Sequence, residues 1–281
     1  MREYKMPQEL PPFQIRDLGI YGVIRTAEVD DHLIPDQGVV EALNVHFDRK
    51  GVMIVRPGLI LVGSQIASGS RVYGLHSASF SNATSGTLLA AVSDGANNDI
   101  YKYQPWNTTW AKSHQDDTQG SKTRFITFAN RVVKVNGNDT MAFWSGTDPW
   151  VASGEPINTD DLTTQGGHTS DIKPQFIEVY KSKIYVAGDS ANPDRLYASN
   201  VISSTGNITW EPTVDYIDIN PSDGENITGL KRFSLELLIF KPNYLYRYHG
   251  LSGLDPDPLI NLGTRSQESI VPAKNGCYFH H

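Results

Sequence analysis

Histidines, the single cysteine and clustered acids are the residues of this 281-residue chain with which catalysis or metal binding would begin. The eight histidines include no His-x-x-x-His or His-Glu-x-x-His spacing, which excludes a helical zinc site. No Gly-x-Ser-x-Gly nucleophile elbow occurs, and Cys277 has no sequence neighbour that marks it as a nucleophile. We expect Cys277 to be a small hydrophobic side chain buried in a strand. Walker and Gly-x-Gly-x-x-Gly phosphate loops are also missing, which argues against nucleotide chemistry.

Three acidic turns carry oxygen atoms of the kind that calcium prefers, at residues 189–194, 218–225 and 255–258. In the 218–225 turn, glycine comes one position late for a calcium loop, and no glutamate stands at the twelfth position. Turns between strands are rich in aspartate in any case. We therefore predict no metal site, no cofactor and no catalytic residue, with calcium binding as the alternative for these turns.

The composition is that of a globular chain, with 39% hydrophobic and 20% charged residues. The 24 basic and 31 acidic residues give a net charge of −7, which argues against a protein that grips nucleic-acid phosphates. One cysteine excludes an intramolecular disulfide framework. No apolar run approaches the ~20 residues of a membrane span, and the Pro-rich start is not typical of a secretory leader. We expect a protein made in a reducing cytoplasm, without a membrane partner.

From residue 72 onward, short β-branched or aromatic runs alternate with clusters of Gly, Asn, Asp and Ser, as in an all-β chain with tight turns. The runs recur in one order: an apolar strand, a polar turn, a second apolar strand, then a third with Tyr, Leu or Phe. First strands begin at residues 72, 125, 176, 227 and 270, at spacings of 53, 51, 51 and 43. Propeller blades repeat every ~40 to 50 residues, so we predict an all-β β-propeller with about five blades rather than a sandwich or jelly roll.

Closure of the propeller has two solutions. Residues 52–55 and 59–62 supply two apolar runs before the first unit, and the fifth unit supplies about two strands. Two strands from each end would form one composite, velcro-closed blade. The alternative is an incomplete piece of a longer propeller. Only one short helix is indicated, over residues 36–44.

Two regions of the chain resemble a known family. The stretch 33–51, with Asn-Val-His-Phe-Asp-Arg-Lys-Gly, and the Arg-Pro-Gly at 56–58 resemble the N-terminal region of virion propellers of tailed phages, the tail nozzle or hub (head-to-tail stabilisation) proteins of short-tailed phages. Later segments look like that family's late-blade pattern in the same order: Trp210-Glu-Pro, Tyr216-Ile-Asp-Ile, Ile227-Thr-Gly-Leu, Leu238-Ile-Phe-Lys, Tyr244-Leu-Tyr and Ser269-Ile-Val. The resemblance covers residues 30 to 275, and relatives continue beyond the point where this chain ends.

The N-terminal motif supplies the candidate site. We predict an assembly motif of Asn44, Phe47, Asp48, Gly51, Arg56, Pro57 and Gly58. Its glycines suit turns with positive φ, and the residue before proline is held extended, so an ordinary β-turn is the alternative interpretation. Residues 1–50 are expected to form an extended arm that docks on a neighbouring subunit or the connector, and residues 51–281 to form the propeller.

The resemblance implies a non-enzymatic structural subunit of a phage virion, made in the host bacterial cytoplasm and located in the tail. It would form a ring homo-oligomer, with a hexamer implied, beside other tail or connector proteins. Phage DNA would pass it without specific binding.

The alternative is a glycan-binding or glycan-degrading β-propeller. Residues 204–210 are similar to the sialidase Ser-x-Asp-x-Gly-x-Thr-Trp box, but the aspartate is missing and there is one copy. The five tryptophans could stack on sugars, yet Trp110, Trp150 and Trp210 fall near the last strands of successive units. We expect them to pack at blade edges instead.

Overall fold

The computed structural model is all-β, and every strand pairing within its described residues is antiparallel. The structure describes residues 45–47, 53–55, 62–66, 71–80, 86–93, 95–104, 108–146, 172–201, 216–221, 223–250 and 256–281. The chain divides into two compact units, Met1–Leu61 and Val62–His281. The predicted arm boundary at residues 50 and 51 and the helix predicted over 36–44 lie outside the described residues.

The first unit contains one described hairpin, in which β1 (Val45–Phe47) pairs with β2 (Met53–Val55). The second unit contains five sheets in which strands adjacent in sequence are adjacent in space. Sheet A is β3 (Arg71–Ala78), β4 (Thr87–Ser93), β5 (Asn98–Gln104) and β6 (Thr109–Asp117). Sheet B is β7 (Arg124–Phe128), β8 (Arg131–Val135) and β9 (Ala142–Trp144). Sheet C is β10 (Phe176–Tyr180), β11 (Lys183–Asp189), β12 (Asn192–Ala198) and β13 (Tyr216–Asp218). Sheet D is β14 (Gly229–Phe233), β15 (Glu236–Phe240), β16 (Leu245–Tyr248) and β17 (Asp257–Ile260). Sheet E is β18 (Val271–Ala273) and β19 (Gly276–Tyr278), preceded by a 3-10 turn at Gln267–Ser269.

The predicted repeat is confirmed at the level of strands and sheets. The five first strands begin at residues 71, 124, 176, 229 and 271, within two residues of the predicted starts. Two predicted last strands, at 149–152 and 208–210, lie outside the described residues. Sheet C instead ends in β13, whose residues belong to the family-like segment Tyr216-Ile-Asp-Ile and were not predicted to form a strand. The closure of the repeat stays a prediction, because residues 59–61 are also outside the described part.

Each described core cluster lies between two consecutive sheets, because the second strand of a unit is apolar on both faces. In β11, Ile184 and Val186 pack toward sheet B, while Tyr185 and Ala187 pack toward sheet D. In β15, Leu237 and Ile239 belong to the core between sheets C and D, and Leu238 and Phe240 to the core between D and E. Alternation of side chains along a strand therefore feeds two cores at once.

Four of the described units join their first two strands by a two-residue hairpin turn, and in two of these turns both residues have positive φ. Ala129 and Asn130 connect β7 to β8, and Lys181 and Ser182 connect β10 to β11; all four have positive φ. A two-residue turn in which both residues have positive φ has a backbone twist that matches the twist of the paired strands. The sequence carries no glycine at these turns, so the tight strand pairing imposes the backbone conformation.

Leucines two positions apart in sheet D give a matched test of this core. Leu237 is fully buried, whereas Leu235 in the preceding turn is 77% exposed. We expect Leu237→Ala to lower the free energy of unfolding by about 2 to 5 kcal/mol and Leu235→Ala to change it by less than about 0.5 kcal/mol. Chemical denaturation measures both, and equal losses would contradict the assignment of this core.

Candidate functional site

The predicted assembly motif lies almost wholly outside the described residues. Phe47 is the last residue of β1 and stands opposite Met53 of β2. Asn44, Asp48, Gly51, Arg56, Pro57 and Gly58 are not described. Their role in assembly stays a prediction, with the paired β1 and β2 strands as the one described element of this region.

A polar cavity of about 280 Å³ lies where several units begin, and no local pattern in the sequence indicates it. First strands of consecutive sheets contact each other in chain order, from β3 through β7, β10 and β14 to β18. The cavity is lined by the first residues of β7 and β10 and by the segments that precede β7, β10, β14 and β18: Lys122, Arg124, Gln175, Phe176, Asn226, Ile227, Thr228, Arg265, Ser266, Gln267 and Glu268. Residues more than 140 positions apart therefore meet there.

Arg124, at the start of β7, holds the two sides of this cavity together. Its Nη2 donates to Glu268 Oε1 at 2.6 Å, and its Nη1 donates to the carbonyl of Gln175 at 3.1 Å. The guanidinium also lies 5.0 Å from the centre of the Phe176 ring, within cation–π range. Lys122 Nζ reaches the other carboxylate oxygen of Glu268 at 3.1 Å. One carboxylate thus bridges two cations.

The two cations explain the acidity of Glu268. Partial burial acts to raise its pKa, but the hydrogen bond from Lys122 and the charge of Arg124 outweigh burial and lower the pKa to about 2. The neighbouring Gln267 fixes the segment in place, because its amide accepts from Leu230 N at 2.6 Å and donates to Leu230 O at 2.7 Å. A Cβ at Gly229 would lie 2.6 Å from Gln267 Oε1, so a larger residue there would force the Gln267 side chain to shift.

A second cavity, of about 240 Å³, adjoins the first and shares Gln175, Asn226 and Ile227 with it. Its other walls are the turns after β8 and β11, which contribute Asn136, Asn138, Asp189 and Ser190. The turn after β8 is held by local hydrogen bonds: Asn136 Oδ1 accepts from Asp139 N at 2.8 Å. Asp139 in turn accepts from Thr118 N at 2.8 Å, which ties sheet B to the connection from sheet A.

A lysine ammonium lies between the acidic turns that were candidates for calcium. Lys241, fully buried after β15, places Nζ 2.9 Å from Asp194 Oδ1 and 2.8 Å from Asp223 Oδ2. The carbonyl of Asn220 lies 3.3 Å away. Burial acts to raise the pKa of Asp223, but its hydrogen bond from Lys241 outweighs burial and the pKa is lowered. The 189–194 and 218–225 turns therefore share a cation that belongs to the chain.

A second buried lysine closes the contact between sheets A and B. Lys134 of β8 is 2% exposed and pairs with Asp117, the last residue of β6. His114 Nε2 lies 3.0 Å from both Lys134 Nζ and Asp117 Oδ1. Burial lowers the pKa of Lys134, and the charge of Asp117 opposes this. Both buried lysines thus bind an acid near the end of the preceding unit.

The remaining candidates take packing positions. Trp110 of β6 donates its indole N–H to the carbonyl of Val62 at 3.0 Å, and Trp144 is buried beside Phe80. Cys277 of β19 is half-buried against the core between sheets D and E, and burial raises its pKa. Within the described residues, no three His, Cys, Asp or Glu side chains are grouped so as to hold a metal ion. No described helix has the length and apolarity of a membrane span.

No known family model matches the chain, and no curated protein matches it. Among solved structures, the chain is similar to the computationally designed protein Ika8, with a TM-score of 0.43 and 16% identity. That match covers 76% of this chain and 56% of Ika8. A protein from Lactobacillus plantarum is similar with a TM-score of 0.41 and 10% identity, over 63% of this chain and 54% of that one. The chain thus spans little more than half the length of either protein, and the resemblance to phage tail proteins stays a prediction.

Removal of the Lys241 charge should destabilise the protein, because Asp194 and Asp223 would be left without their counter-ion. We expect Lys241→Met to lower the free energy of unfolding by about 3 to 5 kcal/mol, and Asp223→Asn in the same chain to restore part of the loss. Lys274→Met, at an exposed lysine, is the matched control. Denaturant unfolding measures the effect, and a change no larger than in the control would contradict this role.

Glu268 predicts an acid-dependent part of the stability. Its pKa is lowered from 4.5 to about 2 in the folded chain, so its contribution is complete above pH 4.5 and is lost as pH falls toward 2. Glu268→Gln should therefore lower the melting temperature at pH 6 and leave it closer to that of the wild type near pH 2. A constant difference between the two proteins across this range would contradict the assignment.

Proposed function

We propose that the chain is a structural, non-enzymatic subunit of a phage tail, built on a β-propeller of about five blades. The observation that carries the propeller is the packing order: each first strand contacts the next one, and each core cluster lies between consecutive sheets. Radial packing of small sheets is the arrangement that covers both faces of each sheet in this way. The order of family-like segments along the sequence supports the phage assignment.

The use of charge in the described residues supports a structural role. Lys134 and Lys241 bind acids from a neighbouring unit, and Glu268 bridges Lys122 and Arg124. These groups hold units together and are not arranged around a shared reacting atom. Contacts of this kind suit a subunit whose role is to hold its neighbours at fixed positions.

In this proposal the chain assembles into a ring homo-oligomer, a hexamer by resemblance, through heterologous contacts that close. Residues 1–50 act as the arm that docks on a neighbour or on the connector, and the motif residues between Asn44 and Gly58 take part in assembly. The ring stabilises the path from portal to tail. A net charge of −7 allows DNA to pass without being held by its phosphates.

One observation favours a glycan-binding protein as the second candidate. The 240 Å³ cavity is lined by Asn136, Asn138, Gln175, Asn226 and Ser190, whose side chains are uncharged hydrogen-bonding groups, and by one carboxylate residue, Asp189. Such groups suit sugar hydroxyls. No aromatic side chain lines this cavity within the described residues, and so stacking on a sugar ring receives no support there.

The mass of the full chain in solution tests the structural proposal. We expect light scattering to give the mass of a ring-sized oligomer for the full chain. Deletion of residues 1–50 should reduce this mass to that of a monomer. Arg56→Glu, inside the predicted motif, should weaken the ring, while Lys274→Glu at an exposed lysine of sheet E serves as the charge-change control. A monomer in every form would contradict ring assembly, and binding in an oligosaccharide screen would then favour the glycan-binding candidate.

A further inference from the structure

The 280 Å³ cavity concentrates positive charge in an acidic protein. Lys122, Arg124 and Arg265 line it, and Glu268 is the one carboxylate in its lining. The three cations and one anion give the lining a net charge of +2, whereas the net charge of the whole chain is −7. A small basic site within an acidic surface attracts anions at short range, where the surrounding charge is screened.

One buried donor of a side chain that lines this cavity lacks an acceptor within the described residues. Arg124 uses its two terminal nitrogens on Gln175 and Glu268, but its Nε is buried and has no hydrogen-bond partner within the described residues. A buried N–H without an acceptor is costly, so an oxygen atom that reaches it gains stability. These two bonds and the contact with the Phe176 ring hold the guanidinium in one position, so an oxyanion that replaced the Glu268 carboxylate would meet a cation that is already ordered.

Arg265 and the side-chain amides of Gln175 and Asn226 belong to the lining of the same cavity. Arg265 is exposed and has no ion-pair partner among the residues that the structure describes. Gln175 and Asn226 are exposed side chains of the same lining and can donate N–H groups. A cavity of 280 Å³ is below the usual ~300 to 1,000 Å³ of drug-sized ligand pockets. The space suits one small anionic group.

We propose that this cavity binds an oxyanion, a phosphate or a carboxylate group, between Arg124, Arg265 and the amides, and that Glu268 is its internal competitor. The Glu268 carboxylate already bridges Lys122 and Arg124, as the bound anion would, and is 44% exposed, so it can turn away into solvent. The oxyanion therefore binds in competition with a carboxylate of the chain itself. This site goes beyond the proposed tail function and does not depend on it.

Thermal stability of the full chain with added ligand tests the site, because a ligand that binds only the folded state raises the melting temperature. Sodium phosphate and the diacid N-acetylglutamate are the two probes, each compared with sodium chloride at equal ionic strength. Phosphate also stabilises proteins by exclusion from their surface, an effect that acts on all variants alike. The variants are therefore compared by their apparent Kd rather than by stability alone.

The variants have opposite expected signs. Arg265→Gln should weaken binding of the probe about fivefold, and Glu268→Gln should strengthen it by about threefold or more, since the competing charge is gone. Lys274→Gln, an exposed cation outside this cavity, should leave the Kd unchanged. Protection by phosphate alone identifies phosphate groups as the ligand class, and protection by N-acetylglutamate alone identifies carboxylates. Equal responses of Arg265→Gln and wild type, or weaker binding by Glu268→Gln, would overturn the proposal, whatever the light-scattering result.

Discussion

The structure depends on one constraint: a sheet of three or four short strands is apolar on both faces and cannot cover either by itself. Consecutive sheets solve this by packing face to face, and each core cluster contains side chains of two sheets. The second strand of a unit contributes side chains to two cores, because its alternate residues point to opposite faces of the sheet. This is why β11 and β15 contain continuous apolar runs, and why β8 is buried on both faces with Lys134 as its one charged interior residue.

Buried ion pairs between lysine and aspartate side chains connect neighbouring units at these cores. Lys134 reaches Asp117 at the end of sheet A, and Lys241 reaches Asp223 in the connection between sheets C and D. The two lysines occupy related places, one inside a second strand and one directly after it. Buried charges are tolerated there because each has its partner, and the partner comes from the unit that must be held.

The sequence predicted the repeat well because strand period and turn composition are local properties. Strands β8, β11 and β15 were found within two residues of their bounds from apolar runs alone. The polar cavity could not be predicted, because Arg124 and Glu268 are 144 positions apart and meet only when the first strands gather. The ion pairs of Lys241 were missed for the same reason: the acidic turns were visible in the sequence, but the lysine that neutralises them belongs to the next unit.

The position of Lys134 has a consequence for strand register. A strand with polar and apolar faces is aligned by hydrophobicity, but β8 is buried on both faces, so a shift by one residue would still place apolar side chains in both cores. Lys134 removes this ambiguity. Its ammonium meets Asp117 on the side of sheet A, while Val133 and Val135 face sheet C. A one-residue slip would turn the charge into an apolar core without a counter-ion, so a single lysine marks the one alignment in which this strand can pair.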